Sequence, residues 1–122
     1  MMTARDAYEQ ALDLIDSAGG EAEHEDYARR APAVIDVLQR ELAFYEGVAL
    51  TGRVENLDDT LELSDDTVLR VLPYGVAANF ALADKNGDMY SEYSYMYRAL
   101  CRTIRHAETE GADEYGVLDG MA

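Results

Sequence analysis

An apolar stripe of helical period runs through Val68, Leu69, Leu72, Val76, Phe80 and Ala83, and Pro73 and Gly75 fall inside it. A proline within a helix removes one ladder hydrogen bond and crowds the carbonyl four residues earlier. The stretch therefore predicts a helix with a kink or short break near residues 70–72. Ser64 is placed to cap its start, with Asp65 and Asp66 at the positive end. Past the break, Ala77, Ala78, Ala81 and Ala83 form a small-residue surface. Its expected use is close packing within the chain rather than a seam between subunits. A turn at Asp84-Lys85-Asn86-Gly87 follows, with Asn86-Gly87 as cap and turn and Asp88 opening the next helix. That helix is expected from about Asp88 to Arg105, with Tyr90, Tyr93, Tyr97, Leu100 or Cys101, and Ile104 on one face. Residues 64–104 thus read as a kinked helical hairpin whose tyrosines face mainly inward.

The rest of the chain supplies two more helices and one irregular stretch. Ala4, Tyr8, Ala11, Leu12 and Ile15 mark a helix over 4–17, with Thr3 as N-cap and Asp6 in the first turn. Residues 19–25 read as a polar connection. A second helix is expected from about Asp26 to Glu46 on the face of Tyr27, Ala31, Val34, Leu38, Leu42 and Tyr45, and Ile35 and Val37 widen that stripe. Pro32 fits best in a first turn, with residues 25–30 as a separate turn or a kinked leading segment. Gly47 ends this helix. Between 48 and 63, Val48, Leu50 and Val54, and then Leu61 and Leu63, alternate with other residues, the pattern of short extended pieces or a small hairpin. The expected fold is mainly α: a four-helix bundle-like domain over 1–106, with a kinked third helix and a short extended or hairpin segment (an arm, about 47–63) between helices 2 and 3. An acidic, flexible tail is expected at 107–122.

Composition narrows the function classes. The net charge is −15, with 25 acidic residues against 10 Lys and Arg. Nucleic-acid phosphates demand clustered cations, so direct nucleic-acid binding is not expected. A basic protein surface is a better-suited partner. Acidic residues concentrate in 1–26, 55–66 and 108–119, where loops and helix starts account for them. One cysteine, Cys101, permits no intramolecular disulfide, which suits a reducing compartment, and its place in a helix suits a buried, inert thiol. No apolar run approaches the ~20 residues that span a bilayer. The cytoplasm is the expected location.

Catalytic and metal signatures are not found. Asp84-x-Asn86-x-Asp88 opens like a calcium loop, but that loop needs glycine at its sixth position and glutamate at its twelfth. Those positions hold Met89 and Tyr95. His24 and His106 are far apart in sequence and lack companions at metal-ligand spacing. No nucleophile is paired with a base, so no catalytic residue, metal, cofactor or small-molecule substrate is expected. Candidate protein-contact residues are Val48, Leu50, Val54, Leu57 and Leu61, which lack an obvious partner within the chain. Arg98, Arg102 and Arg105 join them as a basic line on the last helix.

Three features in order carry a family resemblance. Ala31-Pro32-Ala33-Val34-Ile35-Asp36-Val37-Leu38-Gln39-Arg40-Glu41-Leu42 is a proline-containing amphipathic segment. Val71-Leu72-Pro73-Tyr74-Gly75-Val76-Ala77-Ala78 follows an acidic linker ending at Leu63-Ser64-Asp65-Asp66, and a helix with Tyr93 and Tyr97 comes next. Over roughly 25–105 this resembles the small helical head–tail connector (adaptor or neck) proteins of tailed bacteriophages and prophages. The resemblance implies a structural, non-enzymatic subunit that forms ring-like homo-oligomers and links the portal to tail and neck proteins. It also implies a place in the virion neck once assembled. The 47–63 stretch is then the natural inter-subunit arm. The alternative from charge alone is an acidic regulatory binder, such as a nucleic-acid mimic that blocks a basic protein.

Overall fold

A computed structural model describes residues 1–17 and 24–105. Its helices are α1 (Ala4–Ser17), α2 (His24–Glu46), α3 (Asp65–Arg70), α4 (Leu72–Ala83) and α5 (Gly87–Cys101). α3 and α4 are one helix broken at Val71, so the architecture is mainly α and four-helix in kind, with the kinked third helix expected from Pro73. Proline occupies the first turn of α4, where its missing N–H costs nothing. The expected tail at 107–122 and the glycine turn after α1 lie outside the described residues.

Helix ends follow local chemistry. Thr3 and Asp6 cap α1 reciprocally: the Thr3 N–H donates to Asp6 Oδ2 at 2.8 Å, and the Asp6 N–H donates to Thr3 Oγ1 at 3.4 Å. Ser64 caps α3 by accepting from the Thr67 N–H at 3.3 Å. At the end of α2, the Val48 N–H reaches Ala43 O at 3.1 Å and the Gly47 N–H reaches Phe44 O at 3.3 Å. That pair of bonds needs a left-handed residue, and Gly47 has φ 72°. α4 ends the same way, with Asn86 N–H on Ala81 O and Lys85 N–H on Leu82 O. Here the left-handed residue is Lys85, at φ 59°, and not Gly87 as the sequence suggests. Asn86 instead caps α5, accepting from the Met89 N–H at 3.2 Å. The side chains of the calcium-like turn are thus engaged in folding: Asp84 accepts from the Tyr27 hydroxyl and Asn86 caps a helix.

α4 is the hub, packing against the other four helices. Phe80, fully buried, stacks on Tyr27 of α2 at 4.2 Å between ring centroids and meets Tyr8 of α1 edge-on at 6.4 Å. The Arg30 guanidinium sits 5.7 Å from both the Tyr27 and Phe80 rings. This anchoring explains why α2 runs on through Pro32 as a single 23-residue helix instead of starting there. Ala77, Ala78 and Ala81 are buried within the chain. Several stripe residues do not follow the periodicity: Val37, Tyr45, Leu69 and Ala83 are exposed. α5 stops at Cys101, a turn short of the expected end.

The stretch 48–63 departs most from expectation. Among the described residues it forms no hairpin, only one antiparallel bridge from Thr60 to Thr3. It is welded to two helices by opposite halves of its backbone. Its amides donate to polar side chains of α2: Val54 to Asp36 Oδ1 at 2.8 Å, Glu62 to Gln39 Oε1 at 2.7 Å, and then Ser64 to both Glu46 oxygens at 3.2 Å. Its carbonyls serve the unpaired first amides of α1, with Ala4 N–H on Asp59 O at 2.9 Å and Arg5 N–H on Leu57 O at 2.8 Å. Asp36, Gln39 and Glu46 are each under 7% exposed, and their depth is explained by these bonds.

Candidate interaction surface

The eight sequence-selected residues separate into two groups. Val54 and Leu61 are 3% and 0% exposed, and Val48, Leu50 and Leu57 pack half-buried against the same core. The reason for selecting these five, a missing partner within the chain, does not hold. The hydrophobic effect and the α2 polar ladder already fix them. The arm is part of the domain, so removing 49–61 takes out core side chains and the cap of α1 and cannot leave the intact monomer a free arm would allow.

The arginines stand differently. Arg98, Arg102 and Arg105 are exposed, and among the described residues none of them makes an ion pair. Five other arginines do: Arg5 with Asp58, Arg29 and Arg30 with Asp26, Arg40 with Asp36, and Arg70 with Asp66. Arg53 and Lys85 are also exposed and outside any ion pair, but three of the five unpaired cationic side chains among the described residues lie at the C-terminal end of α5. Arg98 and Arg102 lie one turn apart, with Tyr95 one turn before them and 70% exposed. Arg105 lies past the helix end, where it lines a cleft with Glu46, Asp66, Arg70, Thr103 and Ile104. Arg70 bridges the floor of that cleft, donating to Asp66 at 3.0 Å and to Thr103 Oγ1 at 2.7 Å.

α2 adds an apolar element the stripe did not disclose. Val37 is 56% and Phe44 80% exposed, seven residues apart on one face. Phe44 meets the ring of Tyr45 edge-on. The signal was present in the sequence: Phe44 falls outside the stripe of Tyr27, Leu38 and Leu42, at the spacing that places it with Val37. α2 and α5 are tied between these features, because the Tyr97 hydroxyl donates to Glu41 Oε1 at 2.6 Å.

That tie is tight. A Cβ placed on Gly75 of α4 would lie 2.8 Å from Tyr97 Cε1 and 3.0 Å from Leu38 Cδ1. Gly75 is therefore where α2, α4 and α5 cross, and absence of a side chain is what lets them meet. Burial, and then the bond to Glu41, push the Tyr97 phenol far above its ordinary range. Burial also raises the Cys101 thiol, so it stays protonated and unreactive near neutrality.

A smaller pocket lined by Ile15, Tyr27, Ala81, Asp84, Met89 and Tyr93 brings no nucleophile to a base. No group of three or more His, Cys, Asp or Glu is placed to hold a metal among the described residues. No described helix is long and apolar enough to cross a membrane. What the exposed groups offer is contact chemistry: arginines and a tyrosine on α5, and an apolar patch on α2. No protein-family model, curated protein or solved structure matches this chain.

Proposed function

We propose that the chain is a structural assembly subunit of the tailed-phage head–tail connector kind, which associates with copies of itself and joins portal to tail or neck proteins. The observation that carries this reading is the packing of the segments that bear the resemblance. The Leu72–Ala78 segment, the α2 segment around Leu38 and the tyrosine helix around Tyr97 converge on Gly75 as one rigid unit. A rigid scaffold presenting Val37, Phe44, Tyr95 and unpaired arginines outward suits a subunit that works by contact. Its working locations would be the bacterial cytoplasm during assembly and the virion neck afterwards.

The reading is tested by the source genome and by capture. Reading frames for portal, capsid and tail proteins beside this one are the expected neighbourhood. The purified full chain should then retain the co-expressed portal and tail subunits, with binding weakened by Phe44→Ser. A gene standing alone beside a restriction or repressor operon, or a chain that retains neither subunit, would sink it.

A further inference from the structure

We infer that one copy of this chain docks on another through two different helix faces, the basic face of α5 against the acidic face of α1. The inference rests on the assembly reading and specifies its contact. Glu9, Asp13 and Asp16 are exposed along one side of α1 at spacings of four and three residues. Among the described residues none of the three has an ion-pair partner. Arg98 and Arg102 repeat the four-residue spacing on α5, and Tyr95 lies one turn before them.

Both faces are unfavourable as they stand. Like charges four residues apart on a helix repel. Glu9–Asp13 is such a pair on α1, and Arg98–Arg102 is its counterpart on α5. At 1.5 Å rise per residue, each pair is spaced about 6 Å along its axis, so the two stripes can meet in register. One contact neutralises both repulsions, and the Tyr95 ring adds area at low entropy cost. α1 and α5 touch within the chain through the Tyr93 hydroxyl on Leu14 O, while Glu9, Asp13, Arg98 and Arg102 stay exposed and unpaired there. A second copy carries the complementary charge at the same spacing, and it is the occupant inferred here.

A net charge of −15 on each copy opposes approach at long range. Near physiological salt the screening length is about 8 Å, which removes most of that repulsion while ion pairs in contact persist. A single such contact leaves one acidic and one basic face open, so it can repeat head-to-tail and close into a ring where the rotation allows.

A charge swap tests the inference with the full chain. Sedimentation velocity is run on the natural chain, on Arg98→Glu/Arg102→Glu, on Glu9→Arg/Asp13→Arg, and on an equimolar mixture of the two variants. Circular-dichroism melting checks that each variant is folded, and Arg98→Gln/Arg102→Gln replaces the reversal if it disturbs the fold. The natural chain should associate with rising concentration, each variant alone should stay monomeric, and the mixture should regain association. Variants that associate like the natural chain would overturn the two faces but leave the connector reading intact. A folded mixture that fails to regain association would overturn them as well. A natural chain that is monomeric at every concentration would also overturn the inference, and the connector reading would then rest on portal and tail capture alone.

Discussion

Single residues in this chain act with opposite signs according to backbone geometry. Lys85 holds the left-handed position after α4 that glycine holds after α2. Its side chain is exposed, so Lys85→Gly removes strain without losing contacts. The expected gain is about 0.5–1 kcal/mol in urea unfolding. Gly75→Ala should do the reverse. Its new methyl meets a Tyr97 ring held by Glu41, so a loss of about 1–3 kcal/mol outweighs the gain in helix propensity. Titration follows from the same crossing. The folded-state phenol of Tyr97 and thiol of Cys101 both lie above their ordinary values of 10.0 and 9.0, chiefly through burial. A raised value favours the protonated form in the fold, so this stability is fully present below about pH 9 and is lost as the unfolded-state groups ionise above it. Melting temperature should be flat from pH 7 to pH 8.5 and fall beyond. Tyr97→Phe should make that fall shallower. An unchanged alkaline limb in the variant would show that Tyr97 does not carry it.

At the scale of elements, the arm depends on α2 more than on its own apolar residues. Gln39 is 1% exposed and accepts the Glu62 amide, so Gln39→Ala leaves a part-buried donor without its partner. The expected cost is about 1–3 kcal/mol. Arg40→Ala, one residue on, removes an arginine that is 62% exposed but leaves the buried Asp36 carboxylate with only the Val54 amide, so it should cost more than a surface pair does, about 1–3 kcal/mol. Amide exchange separates the causes: Glu62 should lose protection in the Gln39 variant while Val54, held by Asp36, keeps it. Equal losses at both amides would mean that the arm opens as a unit. The same bonds explain what the sequence could disclose. Helices were legible because apolar residues recur every three or four positions, and the break at Val71 was legible because Pro73 costs least in a first turn. Ser64, Thr3 and Gly47 announced their caps. The arm was not legible, since polar residues on a helix ordinarily mark its wet side. Nothing in Asp36, Gln39 and Glu46 as letters says that each accepts a backbone amide from a segment up to 23 residues away. The outward arginines were visible as a line on a helix, but the helix ends at Cys101, so Arg105 turns into the cleft instead of extending that line.

For the whole molecule the dominant long-range force is self-repulsion. Five ion pairs among the described residues oppose it, but four of their arginines are more than a third exposed, and such pairs contribute about 0–1 kcal/mol each. Two unit charges about 20 Å apart in water interact by about 0.2 kcal/mol. The described residues carry 18 acidic against 10 basic side chains, a net of −8, which produces on the order of thirty like-charge pairings at such distances, so the total of several kcal/mol exceeds the ion pairs. Unfolding roughly doubles the radius of a chain this size and relieves part of that repulsion, so it counts against the folded state by a few kcal/mol at low salt. Salt weakens ion pairs and repulsion together, but repulsion is the stronger of the two and acts at distances beyond the screening length. Raising sodium chloride from roughly 10 mM to roughly 150 mM should therefore increase the melting temperature by several degrees. Arg53→Glu, at an exposed position, should lower it further at low salt and have little effect at high salt. A melting temperature that falls as salt is added would mean that local pairs such as Arg70–Asp66 outweigh the net charge. The charge would then not be the force that a partner surface or a second copy must overcome.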